Sequence, residues 1–247
     1  MVLGFLIGSF LNVCILRIPK KQSIVYPPSH CTNCNRFLKP LDLIPIFSYM
    51  LLKGRCRYCG DRVAIRYPLV ELLTGIIFLS LYLKYGFSIS YIFLVSLSSI
   101  LICITFIDYD HQIIPDELLL LGSVLALLYK LSTYFFNGQP IQLLNDIWGL
   151  LLGGGFFFLI AVISNGGMGG GDIKMMAMLG FWFGWRNIIL IALLAFIIGS
   201  ILSVILLAFK LKTRKDTIPF GPFIAIATIT VILYGELILG WYMKHFL

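Results

Sequence analysis

The sequence contains little charge. Only 12% of its 247 residues are charged, and 60% are hydrophobic. Soluble domains usually contain about 25% charged and about 45–50% apolar residues, so this composition excludes an ordinary soluble protein and indicates a polytopic membrane protein. The net charge of +8 is of a size found in nucleic-acid-binding proteins. The basic residues cluster in loops between apolar runs, however, which is typical of membrane topology, and we expect no nucleic-acid partner.

The chain also lacks the patterns of several enzyme classes and of secreted proteins. Its three histidines, His30, His111 and His245, form no credible pair with a nucleophilic serine. No glycine-rich dinucleotide fingerprint follows a strand. The first apolar run has no basic residues before it and no small-residue cleavage site after it. We therefore expect a retained first membrane span and not a signal peptide.

Apolar runs near the length that crosses about 30 Å of hydrocarbon divide the chain. They are 1–16, 69–84, 88–107, 117–135, 143–163, 187–209 and 219–241, with a shorter run at 173–185. Counting eight spans and taking 17–66 as cytoplasmic places 15 of the 19 Lys and Arg residues on the cytoplasmic side, as the positive-inside rule requires. The count includes four basic residues in the loop 210–217.

The predicted fold is therefore all-α, with about eight transmembrane helices and a small cytoplasmic loop domain. We divide the chain into a first transmembrane helix at 1–16, a cytoplasmic domain at 17–66 and a transmembrane core at 67–247. With eight spans, Asp108 at the end of span three and Asp172 at the start of span six emerge at the same face. Two carboxylates that are distant in sequence can therefore meet in space.

Asp108 and Asp172 are the candidate catalytic residues. An ionisable group at membrane depth costs roughly 2.5–3.5 kcal/mol or more, so such a group is a functional candidate by default. Two carboxylates a few ångströms apart tend to share one proton. The ionised partner can then accept a proton from water while the protonated partner donates to a peptide carbonyl, which is the chemistry of an aspartic peptidase.

Simpler roles are open for several of these polar residues. Asp172 follows three glycines at a helix entrance and suits the cap of a helix N-terminus. Asp116 and Glu117 follow Pro115 and read as ordinary first-turn acids, while Asp110 fits either role. The glycines would allow unusual backbone conformations and the close approach of a substrate; those assigned to this supporting role are Gly169 and Gly171. Lys174 either biases the carboxylates or is a plain juxtamembrane charge.

Four cysteines in the polar loop predict a metal site. Cys31 and Cys34, then Cys56 and Cys59, form two CxxC pairs separated by 21 residues. This arrangement suits a structural zinc ion with four thiolates, which can fold a segment too small to build its own core. Ten basic residues in 17–66 favour the reducing cytosol over a compartment that forms disulfides. Cys14 and Cys103 lie within spans and are expected to be buried apolar residues.

Two motifs resemble those of a known family. The stretches "IDYDHQIIPD" and "GGGDIKMMAMLG" are similar to the active-site motifs of type IV prepilin peptidases, in the wider group of GxGD membrane aspartic proteases. On this resemblance, Asp108 and Asp172 correspond to the catalytic pair and Lys174 to the lysine of the second motif. The stretches 8–19, 28–49, 54–71 and 218–227 also resemble the bacterial members, so the likeness covers nearly the whole chain.

The resemblance implies a membrane endopeptidase of the bacterial cytoplasmic membrane. Such an enzyme cuts the basic leader from prepilins and pilin-like (pseudopilin) precursors at the cytoplasmic face. Members with this N-terminal half are also described as N-methylating the new terminus with S-adenosylmethionine as donor. That second activity is implied by analogy alone, and Glu71, Asn12 and Arg17 are only polar residues at span ends that could contribute to it.

Two other functions are consistent with parts of the sequence. A non-catalytic, zinc-containing membrane assembly factor for pili or secretion explains the cysteines and the spans but not the paired acidic motifs. An ion or proton transporter would explain intramembrane acids. Both acidic clusters, however, are predicted at one face with no counterpart midway or opposite, which argues against a path through the membrane.

Overall fold

The computed structural model describes residues 1–138, 140–213 and 217–246, and within them the chain is helical without β-strands. Arg214 and Lys215, which were counted in the loop 210–217, lie outside the described residues. A 3₁₀ turn occupies Pro40–Leu43 in the polar loop. The α-helices are α1 Val2–Arg17, α2 Phe47–Leu51, α3 Arg66–Tyr85, α4 Ile89–His111, α5 Asp116–Asn137, α6 Leu143–Ile163, α7 Gly170–Ala208 and α8 Gly221–Phe246.

The helices confirm the predicted all-α membrane fold. Six described helices are long and apolar enough to cross a bilayer, and α1 is a shorter apolar helix. The main difference from the sequence prediction is that α4 extends past residue 107 to His111. Asp108 therefore lies inside the last turn of a helix, where its backbone is fixed.

The longest helix, α7, changes direction at Gly184. A straight helix of its 39 residues would be about 58 Å long, nearly twice the hydrocarbon thickness. Gly184 has φ 74° and ψ 177°, a conformation found essentially only in glycine. A Cβ on Gly153 of α6 would meet both Met176 and Ile188. These two residues would be about 18 Å apart in a straight helix, so the chain folds back at Gly184. This separates the predicted short run at 173–185 from the rest of α7, and its crossing of the membrane stays a prediction.

A buried ion pair lies beside this reversal. Lys130 Nζ is 2.9 Å from Asp146 Oδ1, and the side chain of Asp146 is 3% exposed. Lys130 also lies over the ring of Phe181, and the neighbouring Asn145 packs against Gly184. Asp146 is therefore a buried acidic group away from the two motifs that the sequence analysis did not single out. Because Asp146 is neutralised by Lys130, it is part of the packing around the turn.

The chain divides into two compact units, Met1–Cys103 and Ile104–Leu247. In the first, α1 packs against α3 with backbones close enough that a Cβ on Gly4 would lie 2.7 Å from the Cα of Gly75. In the second, α6 packs on both halves of α7 through Gly149, Gly153 and Gly180. Small residues permit this close approach of membrane helices. The predicted boundaries after residues 16 and 66 stay a prediction.

The reversal of α7 predicts a strong dependence on Gly184. We expect Gly184→Ala to lower the thermal stability of the purified chain in detergent, by the equivalent of about 1–3 kcal/mol or more, because a Cβ there is strained and meets Asn145. Gly155→Ala is the matched control, since its Cβ meets nothing within 4 Å. Equal melting temperatures for the two variants would contradict this account of the turn.

Candidate functional site

Asp108 is held by the start of another helix. Its side chain is almost fully enclosed, with the residue 6% exposed. Its Oδ2 accepts a hydrogen bond of 2.9 Å from the backbone N–H of Gly221, the first residue of α8. The partial positive charge of a helix N-terminus favours a carboxylate at this position. Sequence reasoning missed Gly221, although the stretch "IPFGPF" offered a signal, because no carboxylate lies near it in sequence.

Aromatic packing fixes the beginning of α8. The ring of Phe220, next to Gly221, lies 5.3 Å from Phe196 of α7 and 6.0 Å from Phe157 of α6. A Cβ on Gly221 would be 2.7 Å from Asp108 Oδ2, so only glycine allows the backbone to come this close. The aromatic rings and the missing side chain together place a hydrogen-bond donor at Asp108.

Asp172 lies in the first turn of α7 and is 9% exposed. Its carboxylate lies near Gly169, the N-cap residue, where a Cβ would be 3.2 Å from Oδ2, so its position at a helix N-terminus accounts for part of its environment. Its Oδ1 is buried and has no hydrogen-bond partner among the described residues. A buried polar atom without a partner is costly, and capping does not explain it.

The two aspartates share one cavity. Asp108 and Asp172 both line a cavity of about 470 Å³, and their charges interact with each other. The rest of the wall includes Gln112, Ile114 and the three glycines 169–171. The structure therefore brings together the two acids that the sequence placed 64 residues apart.

The glycines before Asp172 differ from expectation. Gly169 has φ −70°, Gly170 and Gly171 are helical, and positive φ is found before them at Asn165 and Gly166. The backbone at 169–171 therefore adopts conformations that other residues can also adopt. A Cβ on Gly171 would lie 2.8 Å from Cβ of Ile114, whereas one on Gly170 would meet nothing within 4 Å. Gly171 thus serves close packing, and the role of Gly169 and Gly171 in admitting a substrate stays a prediction.

Lys174 contacts a different acid from the two buried aspartates. Its Nζ lies 2.8 and 2.9 Å from the two carboxylate oxygens of Asp116 at the start of α5. Both side chains are well exposed, so the pair contributes little to stability. The pair joins α5 to α7 at the edge of the cavity. Sequence reasoning treated Asp116 as a first-turn acid, which it is, but missed this second contact.

The four loop cysteines come together as predicted. Cys31, Cys34, Cys56 and Cys59 have sulfurs within 4.8 Å of one another, and the sulfurs of Cys31 and Cys59 are 3.8 Å apart. Tetrahedral zinc with Zn–S of about 2.3 Å needs sulfurs about 3.8 Å apart. The cluster can therefore hold a metal ion, and its size fits zinc.

The two CxxC segments form equivalent turns. The Cys31 N–H bonds to the Arg36 carbonyl and the Cys56 N–H to the Asp61 carbonyl, at 3.0 and 2.8 Å. The residue after each second cysteine, Asn35 or Gly60, has positive φ. These turns present both sulfurs of a pair on one side, which is the arrangement a tetrahedral metal requires.

The local electrostatics support ligation. The backbone N–H groups of Cys34 and Asn33 lower the pKa of Cys31 to about 7. The backbone of Asp61 acts to lower the pKa of Cys59, but burial and hydrogen bonds with the other three cysteines outweigh it and raise that pKa to about 12. Four thiolates therefore need a cation to be ionised together, so metal binding releases protons and weakens in acid.

Asp42 ties the 3₁₀ turn to the second cysteine pair. Its carboxylate accepts hydrogen bonds from Arg57 Nε at 2.6 Å, the Tyr58 hydroxyl at 3.1 Å and the Lys39 N–H at 3.1 Å. Burial opposes ionisation, but these donors more than offset it and lower the pKa of Asp42. The loop is thus organised by more than the metal site.

Comparison with known proteins identifies families that this chain resembles. Residues 2–85 match the bacterial peptidase A24 N-terminal domain, and residues 95–204 match the type IV leader peptidase family. A prepilin leader peptidase/N-methyltransferase of Xanthomonas campestris pv. campestris is 34% identical over 98% of this chain and 92% of its own length. The chain belongs to the type IV leader peptidase family.

Other relatives with the same description include those of Pseudomonas aeruginosa and Pseudomonas putida. They are 34% and 32% identical over 98% and 95% of this chain, and over 92% and 89% of their own lengths. No solved structure matches. The resemblance drawn from the sequence is confirmed. The family region includes Asp108 and Asp172, while Gly221 lies beyond it and the four cysteines lie in the N-terminal domain.

The contrast between two adjacent glycines can be tested. We expect Gly171→Ala to lower thermal stability by about 1–3 kcal/mol, because its Cβ would press on Ile114. We expect Gly170→Ala to be neutral or slightly stabilising, since it adds a better helix former where there is space. Thermal unfolding in detergent measures both. Equal destabilisation by the two substitutions would show that the packing against Ile114 is wrong.

Proposed function

We propose that this chain is a cytoplasmic-facing endopeptidase of a bacterial inner membrane that removes the basic leader from type IV prepilins and pilin-like precursors. The observation that carries the proposal is the pair of buried aspartates, from separate helices, on one cavity. The names of the relatives, prepilin leader peptidase/N-methyltransferase, support the same substrate class. They do not favour the alternative of a non-catalytic assembly factor.

In this proposal the hydrogen bonds divide the roles of the acids. Asp108 Oδ2 accepts the Gly221 N–H, which favours the carboxylate form, so Asp108 acts as the base that removes a proton from water. Asp172 Oδ1 has no partner among the described residues and is free to carry the proton that is donated to the scissile carbonyl. The water oxygen bonds to the carbonyl carbon, and the C–N bond breaks as the departing amine takes the proton that Asp108 removed from water. The former carbonyl oxygen returns its proton to Asp172 as the C=O bond re-forms.

The edge of the cavity suits a positively charged leader. Asp116 and Glu117 line the cavity and are exposed. Lys174 neutralises Asp116 in part, and displacement of that exposed pair costs little. A basic leader would meet Glu117 and, in exchange for Lys174, Asp116. The cytoplasmic face is supported by the concentration of Lys and Arg in the loop 17–66.

We further propose that the chain N-methylates the new amino terminus, as the names of its relatives state for them. S-adenosylmethionine, when bound, supplies an electrophilic methyl group. The metal of the cysteine cluster is proposed to be zinc, held by Cys31, Cys34, Cys56 and Cys59. Its role is to fold the N-terminal loop, because a site with four protein ligands has no open position for catalysis.

The aspartates can be tested by conservative substitution. We expect Asp108→Asn and Asp172→Asn each to lower the rate of cleavage of a model prepilin in detergent by at least about 100-fold, because each removes a proton acceptor or donor. Asp110→Asn, two residues from Asp108 and exposed, is the matched control and should cut at near the wild-type rate. Either of the first two variants cutting at that rate, while folded by thermal unfolding, would falsify the pair.

The metal proposal predicts one zinc per chain from the single four-cysteine cluster in the described residues. Elemental analysis of the purified chain should find it. The Cys34→Ser variant should contain no zinc. The Cys103→Ala variant, which changes a buried cysteine outside the cluster, should keep its zinc. Acidification should release the zinc as the thiolates are protonated. Iron in place of zinc, or full zinc retention by Cys34→Ser, would contradict the assignment.

A further inference from the structure

The first unit, Met1–Cys103, contains a large cavity of its own. Its volume is about 540 Å³, within the usual range of small-molecule sites. The walls come from α1, the polar loop and the start of α3. They combine apolar residues with two tyrosines, Tyr49 and Tyr67, and with charged groups of both signs. The proposed peptidase chemistry uses none of these residues.

Glu71 is a buried acidic residue in this wall, at 7% exposed. Its Oε2 accepts the backbone N–H of Ile46 at 2.7 Å, and the Ser9 hydroxyl also hydrogen-bonds to it. Both donors are neutral. They fix the direction of the carboxylate but supply no positive charge.

Two of the basic residues that line this cavity have partners other than Glu71. Arg17 donates to the carbonyls of Ser23 and Pro27, and Arg57 pairs with Asp42. Among the described residues, no ion pair of Glu71 is found. Buried acidic groups are almost always paired. A cationic ligand in the cavity would supply the missing counter-charge.

The other charges of the wall define the ligand further. Lys20, Arg55 and Arg62 line the cavity and are exposed, so an anionic group can be held as well. The tyrosines and apolar side chains suit a flat ring. A ligand with a fixed positive charge, a carboxylate and an aromatic base matches all three features. S-adenosylmethionine has each of them, so the residues present fit the methyl donor.

We propose that the Glu71 carboxylate, in the cavity of the first unit, is the counter-charge for the sulfonium of the methyl donor. This inference rests on the methyltransferase half of the proposed function. It adds a specific partner for the positive sulfur. The demethylated product, S-adenosylhomocysteine, is otherwise alike but has a neutral sulfur, so Glu71 should distinguish the two compounds.

The test is equilibrium binding to the full-length, metal-loaded chain in detergent. We expect Glu71→Gln to weaken binding of S-adenosylmethionine about 10-fold or more, as expected for loss of a buried contact to a charge, and to change binding of S-adenosylhomocysteine by less than about 3-fold. Sinefungin, which carries an ammonium group in place of the sulfonium, should behave like the methyl donor. Glu236→Gln, an exposed glutamate of α8, is the matched control and should change neither affinity.

Several outcomes would overturn the inference. Equal weakening of both compounds would show that Glu71 acts only through folding or through a shared part of the ligand. Unchanged donor binding with a raised KM for the cleaved pilin would assign Glu71 to the acceptor amine. Prepilin cleavage and zinc content of Glu71→Gln report folding separately. A wild-type chain that binds no donor would refute the methyltransferase proposal itself, whereas wild-type binding without a Glu71 effect refutes only this inference.

Discussion

The burial of two neighbouring carboxylates in an apolar helical unit is the constraint on which the site depends. Water would stabilise the charge of both, but Asp108 and Asp172 are largely removed from it. Two helix N-termini provide part of the stabilisation that water would give. The N–H of Gly221 donates a hydrogen bond to Asp108, and Asp172 lies in the first turn of α7. Among the described residues, Asp172 Oδ1 has no hydrogen-bond donor. This incomplete satisfaction is costly for folding, and the proposed proton transfer makes use of it.

Close packing through glycine brings the site together. Gly221 lets α8 approach Asp108, and Gly171 lets α7 approach Ile114 in the connection between α4 and α5. Farther along α7, Gly184 reverses the chain while Gly149 and Gly180 allow α6 to contact the turn. In each case the missing side chain lets two segments come into close contact, and close packing is a main source of association between helices in lipid.

The polar loop of the first unit is held together in a different way. Its loop carries ten basic residues, and most of its organisation comes from charged and polar contacts: Asp42 with Arg57 and Tyr58, Arg17 with two carbonyls, and the four sulfurs around a metal-sized space. Glu71 differs from these charged residues, because it is buried and its hydrogen-bond donors among the described residues are neutral. A segment with so little apolar core needs such contacts to hold a single structure.

The sequence by itself determined the helical membrane class, the cysteine cluster and the choice of two candidate acids. These follow from local or additive properties: apolar run length, loop charge, CxxC spacing and the rarity of acids beside membrane spans. Only the tertiary structure decided which groups surround those acids. Gly221 is 113 residues from Asp108, and Lys174 is 58 residues from Asp116. Asp146 of α6 pairs with Lys130 of α5. Contacts between helices depend on how each helix is rotated and how closely its neighbours approach, and neither quantity is encoded in the pattern of one segment.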